Sequence, residues 1–513
     1  MKTPSTDLFD LIHSLTSQER AYFKRFASIH KKASDNTYLK LFDAILQQEA
    51  YDEQALKEQF RGYKVSQYFP RAKKYLEAKI LDAMSLFHAE DSMSVKLKRQ
   101  INDTRFLYSK QLFKMALKKA QQIKKEAAEW EYWAEYIAGC EIEISIFAKY
   151  AYKDIEHIDI LKGQEENNLA LEKYKDTITH FFYQREMVYL LVHRTDENKS
   201  LTENLFHKIH QKDNLKGITS QIARLSSMGL YYQSYTKDFK SAMRCFDEGA
   251  KLFEDHPIIL RKAMDFYLFF VGRLLELAIL QSSFETVQTY LQKTRKNLLN
   301  NPFLRNKEKG FQFVVKVEYY HNHLNCLFSF GKHEQTLQAL AEADKEIKGR
   351  VIEVHVAYAL RYHDISMLIY LFHEQFDAAL EEVNESLNLE IDRHPTKERM
   401  RLWALLIHWE LGNYDLLEHL IRNTIRYWKK NEQYDDWKQV WVKHLRQLLK
   451  GANEIEIWGE IYSQLSKNYP SDEGIYVDVW EAYIRSKLSK KPLKEIHQQW
   501  VEEKKQTQVH LTL

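Results

Sequence analysis

KDFKSAMRCFDEG, residues 237–249, is the stretch that decides the fold. Phe239 marks a turn, and Ala242, Phe246 and Gly249 follow it at intervals that return to one face of a helix. Small residues at Ala242 and Gly249 let a second helix approach closely, and the bulky ring between them fills the contact. The same order recurs in SSFETVQTYLQKT as Phe284, Val287, Leu291 and Thr294, and in GKHEQTLQALAEA as His333, Thr336, Leu340 and Ala343. EQFDAALEEVNES gives Phe376, Ala379, Val383 and Ser386, and GNYDLLEHLIRNT gives Tyr414, Leu417, Ile421 and Thr424. An earlier copy, KQLFKMALKKAQQI, gives Phe113, Ala116, Ala120 and Ile123.

Composition agrees with helices throughout. The 513 residues include only 14 Gly and 7 Pro, where ordinary usage would give roughly 36 and 26. Hairpins consume these residues at turns and helix interiors exclude them. No Asn-Gly or Asp-Gly turn separates two alternating runs, so no hairpin is expected. An all-α chain follows. The three cysteines, Cys140, Cys245 and Cys326, form neither a CxxC motif nor a disulfide framework, which suits a reducing compartment. The N-terminus lacks an apolar signal segment, and no run approaches 18 apolar residues. A cytoplasmic protein without membrane contact is the expectation.

The repeats resemble the second helix of a tetratricopeptide repeat, in which a turn glycine and an aromatic precede small, bulky and small residues at these offsets. Gly331 and Gly412 stand at the turn. The copies are longer than the family's period of about 34 residues: successive aligned residues Ala242, Val287, Thr336, Ala379 and Leu417 are separated by 45, 49, 43 and 38 places. Pro257, Pro302 and Pro395 follow the repeats and end their second helices. The resemblance covers roughly residues 100–470 and implies a right-handed α-solenoid of antiparallel helix pairs. It also implies a groove, lined by the first helices, that holds a protein or peptide segment.

Three regions are expected. Residues 1–92 form a small N-terminal helical domain, 93–470 the repeats, and 471–513 a capping helix pair and tail. In the first, Thr16 and Glu19 make a capping box, and Asp52 caps a short helix. Gly62 then turns the chain into a longer basic helix, an outline shared by helix-turn-helix units and by any small helical bundle. A polar loop is expected around residues 193–204.

Net charge is +3, yet residues 61–125 hold 16 Lys and Arg against 5 Asp and Glu, a local +11 that leaves −8 elsewhere. Lys110, Lys114, Lys118 and Lys125 are placed on one helix, within about 80° of arc, as a cationic stripe opposite its apolar face. Arg71, Lys73, Lys74 and Lys79 add charge from the preceding long helix, and Arg71 and Lys74 join the four lysines as the expected contact residues. Such a surface attracts phosphates or an acidic partner without reading bases. A scaffold for a protein or peptide is the first expectation, and a nucleic-acid-binding regulator with a repeat-based sensor the alternative. That layout resembles the bacterial peptide-sensing regulators that join a helix-turn-helix to tetratricopeptide repeats.

The chain lacks GxxxxGK[ST], GxGxxG, HExxH, GxSxG and Cys/His zinc spacing. His321 and His323 are two apart, on different sides of a helix, and suit no joint metal site. Neither a catalytic centre nor a cofactor is expected.

Overall fold

The chain reverses direction by one device used repeatedly. At Gly331 the backbone enters the left-handed region, with φ of 66°. The Lys332 amide donates to the Leu327 carbonyl at 3.0 Å and the Gly331 amide to the Phe328 carbonyl at 2.8 Å. This pair of bonds satisfies the last carbonyls of the helix and stops it. The same two bonds recur at Gln111, Glu131, Glu374, Gly412 and Gly451, each with positive φ. At five of these six turns the next helix starts two residues later, at Phe113, Trp133, His333, Phe376 or Tyr414. Lys237, with φ of 59°, precedes Phe239 in the same way after a π-helical turn over Tyr231–Thr236.

A computed structural model describes residues 5–28, 37–88, 92–149, 157–193, 195, 198–212, 214–281, 283–299, 309–354, 356–390, 394–431, 434–465 and 475–511. Every regular element among them is helical, and 26 are α-helices. Contacts divide the chain into unit 1, Met1–Tyr174, and unit 2, Lys175–Leu513.

Unit 1 contains α1 (Asp7–Ser14), α2 (Ser17–Ala27), α3 (Thr37–Leu46), α4 (Glu53–Gln59), α5 (Lys64–Gln67), α6 (Phe69–Phe87), α7 (Met93–Ser109), α8 (Phe113–Glu129) and α9 (Trp133–Lys149). The division falls inside α10 (His157–Val192). The Thr16–Glu19 capping box and the Asp52 cap are both formed. One core gathers Leu8, Phe23, Phe42, Leu76 and Ile80; a second gathers Leu97, Ala116, Ala120, Trp133 and Ile146. The core therefore changes near residue 92, while the main division of the chain lies at 174.

Unit 2 begins with α11 (Lys199–His210), α12 (Ile218–Leu230), α13 (Phe239–Asp255), α14 (Pro257–Lys262), α15 (Met264–Leu280) and α16 (Phe284–Thr294). It continues with α17 (Lys309–Ser329), α18 (His333–Ile347), α19 (Val356–Phe372), α20 (Phe376–Asn388), α21 (Pro395–Glu410) and α22 (Tyr414–Lys430). The last are α23 (Asp436–Leu449), α24 (Glu454–Leu465), α25 (Ile475–Ser489) and α26 (Leu493–Leu511). The polar segment expected as a loop through 204 is already helical from Lys199. Pro302 lies outside the described residues.

Neighbouring helices pack in pairs, and α15, α17, α19 and α21 also pack successively on one another. These first helices form a continuous layer. Every small-bulky-small residue picked out by the repeat is buried, from Ala116 to Thr424. The need for smallness is direct at Gly249, where a Cβ would lie 2.0 Å from the Phe270 ring.

The C-terminal pair, α25 and α26, packs back on earlier helices of unit 2. On α25, Trp480 stacks on Trp403 of α21 with centroids 3.8 Å apart, and Tyr483 and Lys487 both reach Glu410. On α26, His497 Nδ1 lies 3.0 Å from His333 Nε2, over the Phe328 ring. The pair thus returns along the turns of earlier repeats, because its aromatic residues find partners there.

Candidate functional site

Four first helices of unit 2 line a cavity of about 480 Å³. Its walls carry charge mostly in compensated pairs, and only the exposed Asp265 of α15 has no ion-pair partner among the described residues. Glu318 Oε1 of α17 accepts from Arg361 Nη1 of α19 at 2.8 Å, and Asp364 Oδ2 of α19 accepts from Arg399 Nη2 of α21 at 2.8 Å. Each pair bridges two successive first helices. Glu276 accepts from Arg273 Nη1 at 2.8 Å and from the Gln233 amide at 3.1 Å. Two amides remain. Neither Asn322 nor Asn325 has a side-chain hydrogen-bond partner among the described residues.

The titrating groups here are held in quiet forms. Burial pushes the Glu318 carboxyl up, against the opposing pull of Arg361 and Arg273. Burial, with the Arg361 charge, holds His321 well below the usual imidazole range, and its Nδ1 faces the Arg361 carbonyl at 3.1 Å. Burial alone pushes the Cys326 thiol far up. A thiol so held presents no thiolate nucleophile. His323, two residues on from His321, instead packs beside Tyr319. Among the described residues no group of three His, Cys, Asp or Glu side chains is arranged to hold a metal ion.

The six cations singled out in the sequence all lie in unit 1, in two groups. Arg71 and Lys74 are exposed on α6, in the first core; Lys114, Lys118 and Lys125 are exposed on one face of α8, in the second. Lys110 corrects the expected stripe. It is the C-cap of α7, with its ammonium 5.6 Å from the Phe106 ring, because the left-handed turn at Gln111 starts a new helix after it. Among the described residues none of the six makes an ion pair. Their neighbours are compensated: Lys73 by Glu53 at 2.6 Å, Lys96 by Glu126 at 3.1 Å and Lys124 by Glu143 at 2.6 Å. Tyr68, the N-cap residue of α6, and Tyr75 on α6, 65% and 46% exposed, accompany Arg71 and Lys74.

The cavity residues carried no sequence signal beyond ordinary helical charge, since Glu318 and Arg361 are 43 positions apart. No family model and no curated protein matches the sequence. No helix among the described residues is long and apolar enough to cross a membrane.

Proposed function

We propose that unit 2 is a non-enzymatic binding array of tetratricopeptide-like pairs, wound as a right-handed solenoid, that holds an extended peptide segment of a protein partner. The carrying observation is the cavity on α15, α17, α19 and α21, with its largely paired charges and two unpartnered amides. The paired charges leave the exposed Asp265 carboxylate as the one lining charge without an ion-pair partner among the described residues. An Asn amide offers donor and acceptor together, which matches the alternating groups of a peptide backbone. Side-chain selection then comes from the exposed parts of Arg273 and Arg361 and from the Tyr358 ring. Peptides selected from a random displayed library on the full chain test this. Asn322→Ala with Asn325→Ala should weaken them by about tenfold or more, the scale of two hydrogen bonds. Selected peptides that ignore both changes would sink the reading.

A second reading attaches to unit 1. Six cations without carboxylate partners, two of them beside exposed tyrosines, suit phosphate contact and base stacking. Binding of a labelled duplex and of a single strand across a salt series distinguishes this from an acidic protein partner. Charge reversal at Lys114, Lys118 and Lys125 should flatten the salt slope by up to about three units. No binding at low salt removes the reading.

A further inference from the structure

The part of α10 in unit 2 carries an apolar face that the described residues of that unit leave exposed. Ile178, Phe181, Phe182, Val188, Tyr189 and Val192 are exposed by 38%, 38%, 56%, 43%, 60% and 70%. At about 100° per residue these six and Arg185 fall within an arc of about 120°. The opposite face is the one that packs into unit 2: His180, Met187 and Leu190 are buried there, and Gln184, at its edge, donates to Ser226. The helix is thus apolar on two sides, which a solvated surface helix is not.

We propose that this stripe is a homodimer seam, on which a second copy of the chain lays its own α10 antiparallel, with the two-fold axis near Phe181 and Phe182. The spacing points to a helix as the occupant. Positions 178, 181/182, 185, 188/189 and 192 alternate steps of three and four, the 3.5-residue period at which two helices keep one seam in contact.

Charge points to a second copy and fixes its direction. Arg185 lies within the stripe, its guanidinium 5.5 Å from the Phe182 ring. Parallel, in-register pairing would set the two Arg185 charges against each other. Antiparallel pairing sets each against Ile178 of the other copy, where only its aliphatic stem is buried. Lys175 and Glu186 flank the same edge of the stripe, are exposed, and make no ion pair among the described residues. One precedes the axis and the other follows it. Antiparallel pairing faces like edge with like edge, so Lys175 of each copy reaches Glu186 of the other. The axial mismatch is about 3 Å, within the range of two flexible side chains. The area is sufficient. Six side chains so exposed present on the order of 600 Å² of apolar surface, the upper end of the usual largest patch of a monomer. With this axis Val188, Tyr189 and Val192 face residues 171–175 of the other copy, where Leu171 and Tyr174 are exposed. Complete burial of the six side chains on both copies would remove at most about 1,200 Å², the lower edge of a standard stable interface.

Sedimentation of the full chain over a concentration series up to about 100 μM tests the seam, since a micromolar Kd would show there. The wild type should dimerise. Phe182→Glu should give a monomer with an unchanged helical circular dichroism signal. Lys175→Glu should weaken the dimer by about threefold to tenfold, and the double change Lys175→Glu, Glu186→Lys should restore it. Mixed K175C and E186C chains should form a disulfide across the seam, while K175C alone should not. A wild type that stays monomeric, or a dimer indifferent to Phe182→Glu, overturns the proposal, whether the stripe is then covered by a foreign helix or by this chain's other unit. K175C cross-linking to itself overturns the antiparallel arrangement.

Discussion

Units 1 and 2 handle charge in opposite ways. In unit 1 the selected cations of α6 and α8 stand on the surface without ion-pair partners among the described residues, while less exposed cations pair with carboxylates, as in Lys124–Glu143. In unit 2 Arg361 and Arg399 are matched to carboxylates on the adjoining first helix, and histidines and tryptophans fill the interior. Trp403, Trp428, Trp441, Trp458 and Trp480 are all buried. Charge paired across helices sets how those helices sit. Charge left over is available to something outside the chain. The two units therefore invite different experiments.

The strongest test of the contrast removes a ring. Trp480→Ala takes away the stack on Trp403 and should cost unit 2 about 3–5 kcal/mol, the range for emptying a large aromatic site. Hydrogen exchange read on peptides from each unit should show faster exchange across α21–α26 and no change in unit 1. A loss spread over both units would break the comparison.

Acid should separate the units next. Burial pushes His180 and His333 down to about 4. A histidine depressed in the folded state contributes stability that is full above its ordinary value of about 6.5 and is lost as pH falls toward 4. In unit 1, burial would raise Glu53, but its bonds from Lys57, Lys73 and Tyr51 prevail and bring it to about 2. That contribution is present above the ordinary carboxylate value and is lost only as pH falls from about 4.5 toward 2. Urea unfolding at successive pH values should find unit 2 weakening first. His333→Gln should remove part of that slope and leave unit 1 unaffected.

Smaller effects come from the repeated turn. Gly249→Ala should cost about 1–3 kcal/mol by overpacking against Phe270. Glu374→Gly and Gln111→Gly, both at positive φ, should each stabilise their unit by about 0.5–1 kcal/mol. Gly331→Ala should cost a similar amount through φ alone, since its Cβ would meet only ordinary contacts, Gln498 Cα at 3.5 Å being the nearest. Thermal melts of single variants measure each. Charge reversal at Lys114, Lys118 and Lys125 should change stability by less than about 0.5 kcal/mol. A large loss there would show that those lysines support the fold.

Much of the local architecture was legible. The aromatic or histidine of each quoted repeat is the first residue of its helix, because offsets of three, seven and ten are properties of a single helix. One copy escaped notice. Trp133, Tyr136, Cys140 and Glu143 hold the same buried positions on α9, after the left-handed turn at Glu131. Neither small nor apolar throughout, they do not resemble the others. Lys110 was placed on the wrong helix for a related reason: the turn at Gln111 uses a non-glycine residue in a conformation that glycine usually signals.

By itself the sequence determined what short spacings can carry: an all-helical chain, where most of the second helices begin, which residues they bury, and an N-terminal region with its own core. The tertiary structure alone decided which distant residues meet. Glu318 finds Arg361, Trp403 finds Trp480, and His333 finds His497 across 164 positions. Helical periodicity fixes which way a side chain faces on its own helix. What stands opposite depends on how many turns and helices intervene, and no local pattern encodes that.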